Sequence, residues 1–138
     1  MNIELQRIND AVKIACKNER GNEIIIDGGE SIGGQNAGPS PMELLLMGIG
    51  GCSSMDVLTI LKKQKQDISS YKVLVNGNRV EDIPKVFDKI HVEFIFEGNV
   101  EDSKAARAIE LSMTKYCSVT KMLEKSAEIT WSHKINGK

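Results

Sequence analysis

The sequence predicts one α+β domain over residues 1–138, with an antiparallel sheet and a long apolar helix. Three observations lead to this prediction. Apolar and polar residues alternate with a period of two near both ends of the chain, which is typical of half-buried strands. A Leu-rich helical segment lies between these regions, and the predicted order βββ–α–ββ–α–β indicates α+β architecture. The length also fits one domain, since domains are most often about 100–150 residues long.

The first three predicted strands form an antiparallel meander. Their predicted ranges are residues 2–9, 11–17 and 23–27. In the second strand Val12, Ile14 and Cys16 alternate with Lys13 and Lys17, the pattern of a strand with one buried face. We therefore expect Cys16 to pack in the core.

A glycine-rich loop over residues 28–40 leads into the long apolar helix. Ser40 is the expected cap, and Pro41 occupies the first helical position, where proline is favoured. The helix is apolar on almost every side, which indicates burial in the core or in an interface. We expect a kink or break at Gly50–Gly51 and a second helical stretch over residues 52–64.

The second half of the chain is predicted to hold two strands, two helices and a last strand. The predicted segments are strands around 71–75 and at 89–97, a helix at 101–116, a short helix ending near 125 and a strand at 127–135. His91 lies on the polar face of its strand, whereas His133 shares a face with Ile129 and Trp131 and is expected in the core.

Composition and charge exclude several classes of function. A net charge of −1 provides no attraction for nucleic acid or an anionic membrane, and aromatic residues are scarce at 4%. No apolar run approaches the roughly 20 residues of a membrane span, and no signal peptide is visible. We therefore expect a cytoplasmic protein with no nucleic-acid or membrane partner. In a reducing cytosol, its three cysteines favour thiol chemistry or metal binding over structural disulfides.

Cys52 and Cys117 are the cysteines at positions suited to chemistry. Cys52 follows two glycines and is expected to open a helical stretch, where the helix dipole lowers a thiol pKa. Cys117 lies at the break between two predicted helices, with Ser118 as the expected cap. A reactive and a resolving thiol are one interpretation of the pair, and two small buried hydrophobic side chains are the other.

The residues around both cysteines resemble those of a known family. The stretch GPSPMELLLMGIGGC, ending at Cys52, resembles the central helix motif of the OsmC/Ohr family, named for osmotically induced protein C and organic hydroperoxide resistance. The segment YCSV around Cys117 resembles the second cysteine motif of that family. The order and spacing of the elements match over nearly the whole chain. The chain most resembles the less-characterised bacterial branch.

This resemblance implies a fold, a partner and an activity. The implied OsmC-like fold has antiparallel sheets packed around a long apolar central helix in an intertwined homodimer, with active sites built from both subunits. The implied reaction is reduction of organic hydroperoxides: Cys52 attacks the peroxide and becomes a sulfenic acid, and Cys117 resolves it to a disulfide. The implied electron source is an external dithiol, with a lipoyl-type dithiol among the candidates, and no cofactor is implied.

The family's reactive cysteine is flanked by a glutamate and an arginine that hold it as thiolate. Glu43 is the candidate glutamate, although Met42 directly follows the motif proline and Glu43 comes one residue later. A carboxylate in the first turn also favours the helix dipole, so a structural role for Glu43 stays open. Arg7 and Arg20 are the candidate arginines, and each fits a solvated surface residue equally well.

Two other functions stay open. A non-catalytic OsmC-like dimer could bind a hydrophobic ligand in the same apolar environment or sense oxidation through its cysteines. A metal site built from Cys52, Cys117 and His133 is conceivable, but the chain has no close-spaced ligand pair such as CxxC to support it. We therefore expect no bound metal.

Overall fold

The computed structural model describes all residues, Met1–Lys138, and the chain divides into two compact units. The units are Met1–Leu45 and Leu46–Lys138, and each contains one three-stranded sheet. A long helix, α1 (Pro41–Lys63), begins in the first unit and continues into the second. The mixture of helices and sheets with one long helix confirms the predicted α+β class. The single domain stays a prediction.

The sheet of the first unit is the predicted antiparallel meander. Its strands, in sheet order, are β1 (Ile3–Arg7), β2 (Ile14–Asn18) and β3 (Glu23–Ile26). Cys16 lies on β2 between Leu5 and Ile24 of the neighbouring strands, and its side chain is buried as expected.

The loop that follows β3 is organised around one buried carboxylate. Asp27 accepts hydrogen bonds from the backbone N–H groups of Gly28, Gln35 and Ala37 at 2.8 to 3.1 Å. Burial acts to raise the pKa of Asp27, but the three N–H donors outweigh it and lower the pKa below its usual value. The loop also contains a single 3₁₀ turn at Glu30–Ile32.

Helix α1 is continuous from Pro41 to Lys63, so the predicted break at Gly50–Gly51 is wrong, whereas a kink there stays a prediction. A glycine inside a helix costs only about 1 kcal/mol relative to alanine, which tertiary packing readily offsets. At Gly50 the packing is close, because a Cβ there would lie 3.0 Å from Cγ2 of Val75. The glycine therefore allows α1 to approach the second sheet rather than ending the helix.

By length and composition, α1 is also apolar enough to cross a membrane. The expectation that no apolar segment is long enough to span a membrane is therefore wrong. The core helix of a water-soluble protein meets the same criteria, and here 28% of the apolar window is buried within the chain.

The second unit contains a mixed sheet, in the order β4 (Asp67–Arg79), β5 (Phe87–Asn99) and β6 (Glu128–Ile135). Strands β4 and β5 are antiparallel, whereas β6 runs parallel to β5, which differs from the predicted antiparallel arrangement. The connection between β5 and β6 explains the difference, because parallel neighbours require a crossover of a dozen or more residues. That crossover consists of α2 (Asp102–Leu111), a π-helical turn (Ser112–Tyr116) and α3 (Ser118–Leu123).

The core of the second unit lies between its sheet and its helices. The side chains with essentially no solvent exposure come from α1, β5 and the crossover between β5 and β6. The largest of them are Phe94, Phe96, Ile49, Leu61, Ile90, Ile109 and Met113. On β5 the buried residues alternate with exposed ones, as the period-two pattern predicts. Cys117 is part of this buried set, so the second cysteine is anchored by the core.

Candidate functional site

Cys52 lies in the middle of α1, half-buried, and not at the start of a helix. Its own backbone N–H is therefore inside a continuous helix rather than among the unpaired groups of a helix amino terminus. The dipole effect expected from the sequence at Cys52 consequently does not apply.

Cys117 lies at the junction between the π-helical turn and α3, and its side chain is fully buried. Its backbone N–H donates to the carbonyl oxygen of Ser112 at 2.8 Å, and its Sγ accepts the N–H of Thr120 at 3.4 Å. Cys117 itself therefore caps α3, and the expected cap Ser118 is the first helical residue. Burial raises the pKa of the Cys117 thiol; the Thr120 contacts oppose this rise, and Cys52 adds to it.

The two cysteines meet in space. The Sγ atoms of Cys52 and Cys117 and a carboxylate oxygen of Asp56 all lie within 4.8 Å of one another. Because a disulfide bond is about 2.05 Å long, the two sulfurs would have to move closer together to form one. The structure thus brings together the two candidate residues whose proximity the sequence could not predict.

Asp56 is the member of this cluster that sequence analysis missed. It follows Cys52 by one helical turn, so its side chain and that of Cys52 share a face of α1. Its Oδ2 accepts a hydrogen bond from Ser112 Oγ at 2.9 Å, and it forms no ion pair. The i, i+4 spacing from Cys52 is the signal that could have identified Asp56, because both residues lie in the helical stretch predicted over residues 52–64.

A surface cavity of about 360 Å³ borders this cluster. Asp56 lines it together with apolar and polar side chains, which are Met55, Thr59, Ile60, Lys63 and Tyr116. Asp56 therefore belongs both to the group with the two thiols and to the wall of this cavity, which neither cysteine lines.

The other predicted site residues are Glu43, Arg7 and Arg20, and none belongs to the cluster of Cys52, Asp56 and Cys117. Glu43 forms a capping box: its Oε2 accepts the N–H of Ser40 at 2.7 Å, and its own N–H donates to Ser40 Oγ at 3.3 Å. These contacts lower the pKa of Glu43. Glu43 precedes Cys52 by nine positions, which at 3.6 residues per turn places the two on opposite sides of a helix. Arg7 and Arg20 are exposed.

Neither histidine belongs to the cluster of Cys52, Asp56 and Cys117. His91 is exposed, as expected, and its ring nitrogens lie 2.7 Å from Thr130 Oγ1 and 2.9 Å from Ser132 Oγ. His133 is half-buried, so its expected place in the core is wrong, and its Nε2 lies 2.9 Å from Oδ1 of the exposed Asp102. The donor set that could hold a metal ion is therefore Cys52, Asp56 and Cys117, and not the set with His133 considered from the sequence.

Two comparisons of sequence identify relatives. The model of the family described as "OsmC-like protein" matches residues 33–132. Protein YhfA of Escherichia coli K12 is 42% identical over 116 residues, which cover 83% of this chain and 84% of that protein.

Comparison with solved structures identifies the same fold. A protein from Aquifex aeolicus VF5 of unassigned function is 35% identical, with a TM-score of 0.85 over 98% of this chain and 95% of that one. An organic hydroperoxide resistance protein from Elizabethkingia anophelis shares the fold at 16% identity, with a TM-score of 0.72 over 99% and 97% of the two chains. The family match covers most of the chain and the fold agrees with it, so this chain is a member of the OsmC family.

Proposed function

We propose that this chain is a cytoplasmic thiol-dependent peroxidase that reduces organic hydroperoxides in defence against oxidative stress. The single observation that carries the proposal is the proximity of the sulfurs of Cys52 and Cys117, within 4.8 Å. Two free cysteines from distant parts of the chain that meet in this way are suited to a reversible cycle of sulfenic acid and disulfide. The half-buried Cys52 is the attacking thiol, and the fully buried Cys117 is the resolving thiol.

The surroundings of the cluster support an organic substrate. The cavity next to Asp56 is lined in part by Met55, Ile60 and Tyr116, which suit the apolar tail of an alkyl hydroperoxide. The product disulfide would be reduced by an external dithiol, of which a lipoyl-type dithiol is one candidate.

We also propose that the working form is a homodimer. Members of this family are generally dimeric, and α1 carries exposed apolar side chains at helical spacing. Met47, Met55 and Leu58 are 57%, 73% and 36% exposed, respectively, and Tyr116, which lines the same cavity as Met55, is 50% exposed. A second copy covering these side chains would remove them from water, as large apolar residues are removed in stable interfaces.

The test is turnover of cumene hydroperoxide and hydrogen peroxide with dihydrolipoamide as reductant. Wild type is compared with Cys52→Ser and Cys117→Ser, and Cys16→Ser is the matched control because Cys16 lies on a strand of the first sheet. Peroxide should reduce the number of free thiols in wild type from three to one. Turnover should be lost in Cys52→Ser and kept in Cys16→Ser. Absence of turnover with an unchanged thiol count would contradict the proposal.

A second candidate function is oxidation sensing without rapid turnover. Cys52 does not start a helix, so it lacks the unpaired N–H groups of a helix amino terminus that activate a thiol. This position favours slow reaction with peroxide. Stoichiometric formation of the disulfide without catalytic turnover, whatever the reductant, would favour this function over the peroxidase.

A further inference from the structure

The fully buried Cys117 needs a proton acceptor if it is to attack a sulfenic acid. The thiolate is the nucleophile in disulfide formation, whereas a neutral thiol reacts poorly. Burial raises the pKa of Cys117, so the residue is a neutral thiol at physiological pH. Its Sγ accepts the N–H of Thr120, and α3 has no carboxylate or histidine that could take the thiol proton.

Asp56 is the one other ionisable group in the cluster besides the two cysteines. Its separation from the sulfurs, up to 4.8 Å, is short enough for proton transfer directly after a small movement or through one water molecule. The hydrogen bond from Ser112 holds only Oδ2, and Oδ1 makes no hydrogen bond within the chain. One carboxylate oxygen is therefore held in place while the other is free to accept a proton.

Ser112 couples the positions of the base and of the thiol. Its Oγ donates to Asp56, its carbonyl oxygen accepts the N–H of Cys117, and its side chain is fully buried. It lies in a π-helical turn, a form of backbone that is rare and often found at functional sites.

We propose that Asp56 is the catalytic base of the disulfide-forming step, an inference that rests on the proposed peroxidase function. Once an organic hydroperoxide has converted Cys52 to a sulfenic acid, the Asp56 carboxylate takes the thiol proton of Cys117. The Cys117 sulfur attacks the Cys52 sulfur, the S–S bond forms and the S–O bond breaks. The departing hydroxide takes the proton back from Asp56 and leaves as water. Cys117 is oxidised, the sulfenyl sulfur of Cys52 is reduced, and Asp56 returns to its carboxylate form.

The experiment separates the two chemical steps in single turnovers with cumene hydroperoxide. Dimedone-trapped sulfenic acid at Cys52 reports the first step, and loss of the second thiol reports the disulfide. In Asp56→Asn, sulfenic acid should form at nearly the wild-type rate, whereas disulfide formation should slow by about 100-fold, a typical effect of losing a general base. Asp67→Asn is the matched control, because Asp67 is an exposed carboxylate of β4 with no side-chain partner.

The pH profile distinguishes a base from a structural residue. Without Asp56, disulfide formation should depend on ionisation of Cys117 and rise about tenfold per pH unit below the thiol pKa. The wild-type rate should rise less steeply. The ionisable groups around Asp56 are Cys52 and Cys117, whose sulfurs lie within 4.8 Å, and Lys63 and Tyr116, which line the same cavity; all remain in the variant.

Several outcomes would overturn the inference. Disulfide formation in Asp56→Asn at the wild-type rate and pH slope would do so, and so would equal slowing of both steps. If Asp56→Asn fails to fold, Ser112→Ala provides the test. This change keeps the Asp56 carboxylate but removes the hydrogen bond to its Oδ2. Disulfide formation should again slow while formation of the sulfenic acid does not. A wild-type protein that forms no sulfenic acid would instead overturn the proposed function itself, and the base with it.

Discussion

Ser112 Oγ donates a 2.9 Å hydrogen bond to Asp56 Oδ2, and this contact joins the crossover between β5 and β6 to the middle of α1. The same hydroxyl lies 3.4 Å from the carbonyl oxygen of Ser53, so it faces two acceptors on the helix. Because the carbonyl oxygen of Ser112 also accepts the N–H of Cys117, this buried residue links the backbone of one candidate thiol to the helix that carries the other.

Replacing Ser112 by alanine should destabilise the fold. The change removes a buried donor and leaves Asp56 Oδ2 without its partner, which typically costs about 1–3 kcal/mol. Urea unfolding followed by circular dichroism measures the free energy of unfolding. Ser103→Ala is the matched control, because Ser103 is an exposed residue of α2 with no side-chain hydrogen bond, and its effect should stay within about 0.5 kcal/mol. Equal stability of the two variants would contradict the role assigned to Ser112.

The two candidate thiols should differ sharply in alkylation. Cys52 is half-buried, whereas Cys117 is fully buried with a raised pKa, so iodoacetamide should modify Cys52 first. Mass spectrometry of the Cys16→Ser variant measures both rates without interference from the third cysteine. Modification of Cys117 should increase with pH because only its thiolate reacts. Faster modification of Cys117 than of Cys52 at neutral pH would contradict this order.

Local patterns in the sequence predicted much of the fold. Period-two alternation identified β2 and the one-sided burial of β5, a run of three isoleucines identified β3, and Ser40–Pro41 marked the start of α1. These features depend on neighbours along the chain, so the sequence reports them directly. The burial of Cys16 followed from the same alternation.

The features that the sequence did not predict depend on tertiary contacts. The parallel pairing of β6 with β5 is set by the path of the crossover, which residue patterns do not encode. Gly50–Gly51 indicated a break because glycine is a weak helix former, but packing of Val75 against Gly50 overrides that propensity. Asp56 was not predicted because its place in the site depends on contacts with Cys117 and Ser112, which are distant in the sequence.

Replacing Gly77 and Gly51 by alanine should change the free energy of unfolding in opposite directions, because Gly77 is crowded and Gly51 is not. A Cβ at Gly77 would lie 2.5 Å from Cε1 of Phe87, a buried ring, so Gly77→Ala should destabilise the fold by about 1–3 kcal/mol through overpacking. A Cβ at Gly51 meets nothing within 4 Å, so Gly51→Ala should stabilise α1 by about 0.5–1 kcal/mol. Thermal and urea unfolding of the two variants measure both effects. Destabilisation by Gly51→Ala would indicate that α1 does require a flexible point there.

The Tyr71 hydroxyl should remain protonated to unusually high pH. Burial raises the pKa of Tyr71 to about 12, although the hydrogen bond with Ser54 opposes the rise. The neutral phenol is therefore favoured in the folded state. This contribution to stability is complete below the usual tyrosine pKa of about 10 and is lost as the pH rises through about 12.

The measurement is the near-ultraviolet absorbance of phenolate during an alkaline titration of Tyr116→Phe, which leaves Tyr71 as the only one of the two tyrosines. The midpoint should lie near 12 while circular dichroism reports a folded chain. Tyr71→Phe should in addition lower the free energy of unfolding by about 1 kcal/mol at neutral pH, because its O–H donates to Ser54 Oγ at 3.0 Å. A midpoint near 10 in the folded protein would mean that water reaches the Tyr71 hydroxyl, and that the contact between α1 and β4 at Ser54 is more open than the structure describes.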